Sequence, residues 1–445
     1  MTDVLTRDTN APGSGAGTTG QSSFPAPGHT VAATPAARYR QVRADSVAIC
    51  APLQTEDYVV QPCAEVSPPK WHLAHTTWFF EEAILKQFGS DYRDFNPDYF
   101  RLFNSYYKSA GEHWLQGERG QLSRPTVAEI VAYRTAVDDS LLALLEKKGG
   151  NSEMLGVLEL GLQHEQQHQE LLLMDIKRIL GTNPTMPAYT EANWAASAVA
   201  ESWTEFAEGL FEVGHEVGRE VGHEVGQGGD AFAYDNECPR HKQYLHDFAI
   251  RDNSVSCAEY IEFIDAGGYA DPSLWLSQGW DWVQQNDVGA PLYWFEKEGT
   301  WHYYTLHGAR PVTDHEPVVH VSYFEADAFA RWKGCRLPIE AEVEQWLLRH
   351  PETISPQQNV IHPSRADQAS NQVWYWTASH YSPYPGYRPY SGMLEEYNGK
   401  FMCNQFVLRG GCVATPAGHY RPSYRNFYLP QQRWMFSGIK LAKDC

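Results

Sequence analysis

The chain has 445 residues, enough for two or more domains with cores of their own. Its 35 basic and 55 acidic residues give a net charge of -20, which argues against nucleic acid or an anionic membrane as partner and leaves small molecules as the expected ligands. The 15 Trp, 25 Tyr and 19 Phe are a heavy aromatic load that suggests stacked or cage-like sites as well as packing.

Residues 1–37 are mostly small residues and Pro, too poor in large apolar groups to offset the entropy of ordering, and are expected to form a disordered tail. The N-terminus has no basic region followed by an apolar run, and no window approaches the roughly 20 apolar residues of a membrane span. Cys50, Cys63, Cys238, Cys257, Cys335, Cys403, Cys412 and Cys445 are scattered without a CxxC pair, the pattern of reduced thiols, so the expected compartment is the cytoplasm.

Four helices are predicted next. The first begins near Ala37 and runs to about Leu53. The second opens at Ser67-Pro68-Pro69, where serine can cap and proline has no amide hydrogen to lose, and runs from Trp71 toward Gly89 with His72 and His75 aboard. Between Asp91 and Gly120 the chain is aromatic and irregular, long for a plain connection, and includes Tyr106-Tyr107. The third helix starts at the capping box Thr126-Val127-Ala128-Glu129, and the fourth spans about Ser152 to Leu180. Residues 38–182 therefore read as a four-helix bundle, whose core can carry ligands projecting from facing helices.

Residues 183–200, with two prolines, form a linker, and from 201 to 445 the texture changes to short β-like runs, many Gly, Trp and Tyr, and few long helices. This half reads as an irregular α+β domain, with helices over Glu325–Trp332 and from Leu337-Pro338 onward. Four tandem tetrapeptides from Glu212, closing on Gly228-Gly229, read as a duplicated surface loop rather than a metal site despite His215 and His223.

The fourth helix holds His164-Glu165-Gln166-Gln167-His168. At 100° per residue the two histidines lie about 40° apart and Gln167 about 60° to the other side of His164, so all three share one face. HxxxH spacing presents two nitrogens to one metal ion, although a hydrogen-bonded core pair would look the same. A third ligand is available from the second helix. His75 is the choice over His72, because Trp78, Phe79 and Glu82 continue its face, while His72 caps or orients. Three neutral imidazoles leave open positions and suit either zinc as a Lewis acid or iron(II) for oxygen chemistry.

Ser67-Pro68-Pro69-Lys70-Trp71-His72-Leu73-Ala74-His75, the His164 to His168 motif, Gly334 to Glu342, Val373-Trp374-Tyr375-Trp376-Thr377 and Arg409-Gly410-Gly411 together resemble the EgtB-type sulfoxide synthases of ergothioneine biosynthesis, over roughly residues 38–443. The resemblance implies a DinB-like four-helix bundle followed by a C-type-lectin-like domain of the formylglycine-generating-enzyme type. It implies a mononuclear non-haem Fe(II) on His75, His164 and His168 at the domain junction. The implied reaction uses O2 to join the sulfur of cysteine or γ-glutamylcysteine to C2 of the imidazole of hercynine (Nα-trimethylhistidine), with oxidation of that sulfur to a sulfoxide.

Carried over by motif, Gln167 is a hercynine contact, and Asn426, Phe427 and Tyr428 line the hercynine site, aromatic faces suiting its quaternary ammonium. Where some relatives have Trp-Asp, this chain has Phe427-Tyr428. The missing acid favours cysteine as the thiol. Arg119 and Arg124 fall where the family places the arginines that clamp the thiol substrate's carboxylate, a role the guanidinium fork suits. Tyr106 and Tyr107 are the candidates for the proton-donating phenol, ahead of Tyr381 and Tyr384, with one of the pair expected near the metal. The alternatives are the related synthase of the ovothiol route acting on histidine, a zinc-dependent DinB-type thiol transferase, and a non-catalytic lectin-like binding protein. The ovothiol enzymes are expected to carry a methyltransferase domain, for which no segment is seen. Oligomeric state and a structural Ca2+ in the second domain cannot be read from the sequence.

Overall fold

The computed structural model describes residues 34–105, 111–216, 232–351, 360–365, 372–391 and 395–445. Most of the expected tail, Tyr106, Tyr107 and the tetrapeptide repeat beyond residue 216 lie outside the described residues. The first three residues of helix α1 (Pro35–Cys50) lie inside the segment assigned to the tail, because Thr34 caps it, accepting from the Ala37 amide at 3.2 Å, and Pro35 occupies the first turn.

Helix α2 (Pro69–Phe80) runs on through a π turn (Glu81–Leu85) into a last turn, Lys86–Phe88. The π turn starts at Glu81, whose buried carboxylate accepts from Tyr92 Oη (2.6 Å), the Phe95 amide (3.0 Å) and Tyr133 Oη. Ser67 does not cap α2. Its amide donates to Asp175 (2.8 Å) and its hydroxyl accepts from Arg119 (2.7 Å), so both groups are engaged elsewhere. The segment expected to be irregular contains a short helix, Tyr99–Phe103, and a 3-10 turn, Gln116–Gln121. Helix α3 (Val127–Lys148) opens on the predicted capping box, and α4 (Ser152–Gly181) is capped by Asn151. Helix α2 packs on both α3 and α4, and α1 packs on all three, closing the bundle. Gly161 permits the close approach of α2 to α4, since a Cβ there would sit 2.6 Å from the Phe80 ring.

The second half is mixed α+β. Strand β1 (Trp203–Phe206) is antiparallel to β4 (Phe248–Arg251), whose other edge takes the C-terminal β12 (Ala442–Asp444). The pair β2 (Gly209–Val213) and β3 (His241–Leu245) stands apart, and the first repeat unit closes β2. A three-stranded sheet joins β5 (Trp294–Lys297), β6 (Thr300–Thr305) and β7 (Gly308–Pro311). A four-stranded sheet has the order β10 (Asn426–Tyr428), β9 (Phe406–Arg409), β8 (Trp374–His380), β11 (Ser437–Gly438). Among the described residues four α-helices complete the domain: α5 (Cys257–Asp265), α6 (Ser277–Asn286), α7 (Tyr323–Trp332) and α8 (Glu340–Arg349). No described helix is long and apolar enough to cross a membrane.

The two halves meet along α4. Gln163, Gln167, Glu170, Met174 and Lys177 recur at intervals of three or four and form one stripe, and all five touch the second half. Gln163 Oε1 contacts His419 Nδ1 (2.7 Å), Trp374 Nε1 donates to Glu170 (2.7 Å), Tyr428 Oη lies 4.0 Å from Met174 Sδ, and Lys177 Nζ lies 2.6 Å from His320 Nε2. Burial pushes the Lys177 ammonium down to about 7 from its ordinary 10.5. The native state therefore binds fewer protons than the unfolded chain between those values, so this residue makes stability rise with pH from about 7 to 10.5. Lys177→Met should flatten that rise in thermal melts taken across the range. An unchanged difference between the two ends would contradict a buried, deprotonating Lys177.

Candidate metal centre

His75 comes from the middle of α2 and is fully buried between two indoles, stacked on Trp71 (centroids 4.6 Å apart) and on Trp78 (5.5 Å). These are its neighbours one turn to either side, so the Trp-x-x-x-His-x-x-Trp spacing itself builds the sandwich. Its Nδ1 donates to the Phe103 carbonyl (2.6 Å), which leaves Nε2 unprotonated and aimed at His164 Nε2, 3.3 Å away. Phe79 closes the other side of the His164 ring at 4.6 Å. Among the described residues His164 Nδ1 is buried without a hydrogen-bond partner.

One nitrogen from each of His75, His164 and His168 falls within 4.8 Å of the others, and this is the trio that the sequence suggested. Burial, foremost, lowers the proton affinity of all three, His164 to about 3, with repulsion among the imidazoles adding to the effect at His75 and His168. They are neutral at pH 7. With the His164 proton on Nδ1 the two Nε2 lone pairs converge at 3.3 Å, and three neutral imidazole nitrogens gathered this closely fit a divalent metal and leave room for further ligands.

Gln167, one residue before His168, is fixed by two tyrosines of the second half: Tyr397 Oη donates to its Oε1 (2.9 Å), and its Nε2 donates to Tyr424 Oη (3.0 Å). The Tyr397 ring lies 5.8 Å from His164 and stacks on Tyr234 at 5.4 Å. Neighbouring Gln166 and His419 keep Oε1 and Nε2, respectively, buried and without a partner among the described residues.

Arg119 is buried, its guanidinium 3.3 Å above the Trp71 ring that in turn covers His75. Arg124, expected to pair with Arg119 in a clamp, is instead exposed, and its guanidinium donates to the neighbouring Ser123 carbonyl (3.0 Å). Tyr428 faces α4, and its hydroxyl is held protonated by burial and by the nearby Glu170, with Asn426 on the same side of the strand as its hydrogen-bond partner. Phe427, between them, points the other way, stacked on Tyr381 (4.0 Å) and Phe401 (5.9 Å), so strand alternation corrects its expected place beside Tyr428. Tyr381 accepts from Asn236 (2.8 Å) and Tyr384 donates to Glu340 (3.2 Å), both inside the second half. Tyr106 and Tyr107 lie outside the described residues.

Sequence reasoning missed Tyr397 and Tyr424 as the groups that orient Gln167, and Asp175. Asp175 follows His168 by two turns and was open to discovery by periodicity. Tyr397 and Tyr424 lie 230 and 257 residues from Gln167 and carry no local signal.

The DinB superfamily model matches residues 38–172, and the sulfatase-modifying factor enzyme 1-like domain matches residues 202–346. The chain is 30% identical to a hercynine oxygenase of Mycobacterium tuberculosis over 342 residues, 70% of this chain and 76% of that protein. Against a hercynine oxygenase of Mycolicibacterium smegmatis it is 30% identical over 424 residues, covering 85% of this chain and 91% of the relative. It is also 27% identical to the ergothioneine biosynthesis protein 1 of Schizosaccharomyces pombe over 234 residues, 48% of this chain and 28% of that protein.

The geometry predicts that His75→Ala, His164→Ala and His168→Ala each abolish stoichiometric binding of Co(II) in equilibrium dialysis, whereas Arg124→Ala leaves it intact. A full equivalent retained by His75→Ala would reassign the third ligand.

Proposed function

The chain belongs to the hercynine oxygenase family and is an oxidoreductase, and from that premise we propose that it is an iron(II)- and O2-dependent sulfoxide synthase that joins cysteine sulfur to C2 of the hercynine imidazole. The observation that carries this reading is the meeting, at one domain junction, of three neutral imidazoles and a glutamine whose amide is clamped between two tyrosines. His75, His164 and His168 would hold the iron, which when bound supplies the reduction of O2. The reaction balances without another cofactor: the C–H of hercynine and the S–H of the thiol give up two electrons in forming C–S, and sulfur gives two more in becoming a sulfoxide. These four reduce O2, one oxygen ending on sulfur and the other in water.

The chain's own residues bind, orient and handle protons. Gln167 presents a fixed amide to the polar end of hercynine, because both its ends are already set by Tyr397 and Tyr424. Asn426 and Tyr428 share the strand face toward α4 and form the adjoining wall. Aromatic rings from Tyr234, Tyr397 and Tyr424 surround this region and suit a quaternary ammonium, which cannot donate a hydrogen bond. Arg119, buried over Trp71, is the cation nearest the ligand stack and is assigned to the thiol's carboxylate.

One of Tyr106 and Tyr107 is proposed to give and retake a proton at its phenol oxygen. Support comes from their place in the sequence, just after Phe103, whose carbonyl holds His75 Nδ1. The replacement of Trp-Asp by Phe427-Tyr428 supports cysteine over γ-glutamylcysteine.

Incubation of the iron(II)-loaded protein with hercynine, O2 and each thiol in turn, read by mass spectrometry, should give a hercynine–cysteine adduct carrying one added oxygen. Product only with γ-glutamylcysteine would reassign the thiol, and no adduct with either would sink the proposal. Phe at position 106 or 107 should divert turnover to oxidised thiol without adduct. Unchanged product from both variants would move the search to Tyr397.

A further inference from the structure

The ring nitrogen of His168 that faces away from His75 and His164 is not idle. His168 Nδ1 lies 2.9 Å from His72 Nδ1, and His72 Nε2 lies 2.9 Å from Asp175 Oδ2. His72 and Asp175 are both buried, at 3% exposure each. The carboxylate can only accept, so a neutral His72 carries its proton on Nε2 and offers a lone pair at Nδ1. That lone pair must be met by a hydrogen, which puts the proton of His168 on Nδ1 and its lone pair on Nε2. The direction of every bond in the line follows from the one group that cannot donate.

Asp175 is itself fixed from three sides. Oδ2 also accepts the Ser67 amide at the entrance to α2 (2.8 Å), and Oδ1 accepts Trp434 Nε1 from the second half (3.1 Å). The same carboxylate therefore ties α2 to α4, docks the second domain, and sets the tautomer of a ligand two turns away on its own helix.

We propose that Asp175 and His72 are positioning residues that act on the metal through His168, fixing the protonation site of its ring and raising its donor strength. The inference rests on reading the three histidines as a metal centre and goes beyond it, since it assigns His72 neither to the ligand set nor to a helix cap. Outer partners of this kind typically change metal affinity by about 10- to 100-fold when removed.

The test uses the full chain, metal-free, titrated with Co(II) under nitrogen and followed by its visible absorption. His72→Leu should weaken binding by about 10- to 100-fold and shift the cobalt bands, because His168 then loses its Nδ1 acceptor. His72→Gln, whose amide can accept from His168 and donate to Asp175 at once, should restore affinity and spectrum toward wild type. A purely structural role predicts wild-type bands from whatever fraction of His72→Leu binds cobalt, and that result would overturn the proposal. So would equal losses in the Leu and Gln variants. Failure of the wild-type chain to bind cobalt at all would instead strike the metal-centre reading itself. Should His72→Leu not fold, Asp175→Asn read in the same titration decides the matter by the same shift of bands.

Discussion

Helix α4 has no exposed residue from Met154 to Gly181, so its buried polar side chains depend on partners inside the protein. Leaving even one such group unsatisfied costs about 1–3 kcal/mol, and a lone buried charge costs more. The helix meets this constraint face by face, with His164 Nδ1 and Gln166 Oε1 as exceptions among the described residues. Toward the bundle, Glu165 accepts from Arg43 (2.9 Å), Ser46 (2.6 Å) and Arg134, and the two arginines hold its carboxyl down at about 2 despite complete burial. Toward α2 it presents His164, His168 and Asp175. Toward the second domain it presents the stripe from Gln163 to Lys177.

Because these faces belong to one rigid rod, His164 and His168, proposed as ligands, and the Gln167 amide, proposed as a substrate contact, are held at fixed offsets. Gln167 and His168 are adjacent in sequence but face different partners, the first the tyrosines of the second domain, the second the imidazoles of α2. Closing the domain junction thus sets the Gln167 amide beside a histidine cluster that the bundle already holds. The aromatic residues contribute stiffness: His75 between Trp71 and Trp78, and His164 against Phe79 and Tyr397, have little freedom to leave the geometry that gathers their nitrogens. Arg119 adds a positive end to the same stack, since its guanidinium covers Trp71 while its Nη1 reaches Ser67, whose amide is on Asp175. The group proposed to hold the thiol and the group proposed to tune His168 are thereby neighbours through one serine.

What could be read in advance was what is periodic. The four helices, the capping box at Thr126, and the sharing of one helical face by His164 and His168 all follow from spacings of three and four. The choice of His75 over His72 followed from the face it shares with Trp78 and Phe79. What resisted reading was set by contacts across the chain. Arg124 and Arg119 look equivalent on paper, yet one is buried over an indole and the other turned to solvent. Phe427 and Tyr428 were grouped as neighbours, but consecutive strand residues point to opposite sides. Ser67 had the composition of a cap and lost that role to a carboxylate on another helix. Tyr397 entered the site from a loop that no pattern marked.

The central claim is that His75, His164 and His168 ligate one metal ion. X-ray absorption at the iron edge of the anaerobic iron(II)-loaded chain measures this directly, through the multiple scattering of imidazole rings. The account predicts a shell containing three imidazoles, falling to two in His75→Ala if any iron remains. An iron shell without imidazole scattering, or one unchanged by that substitution, would contradict it.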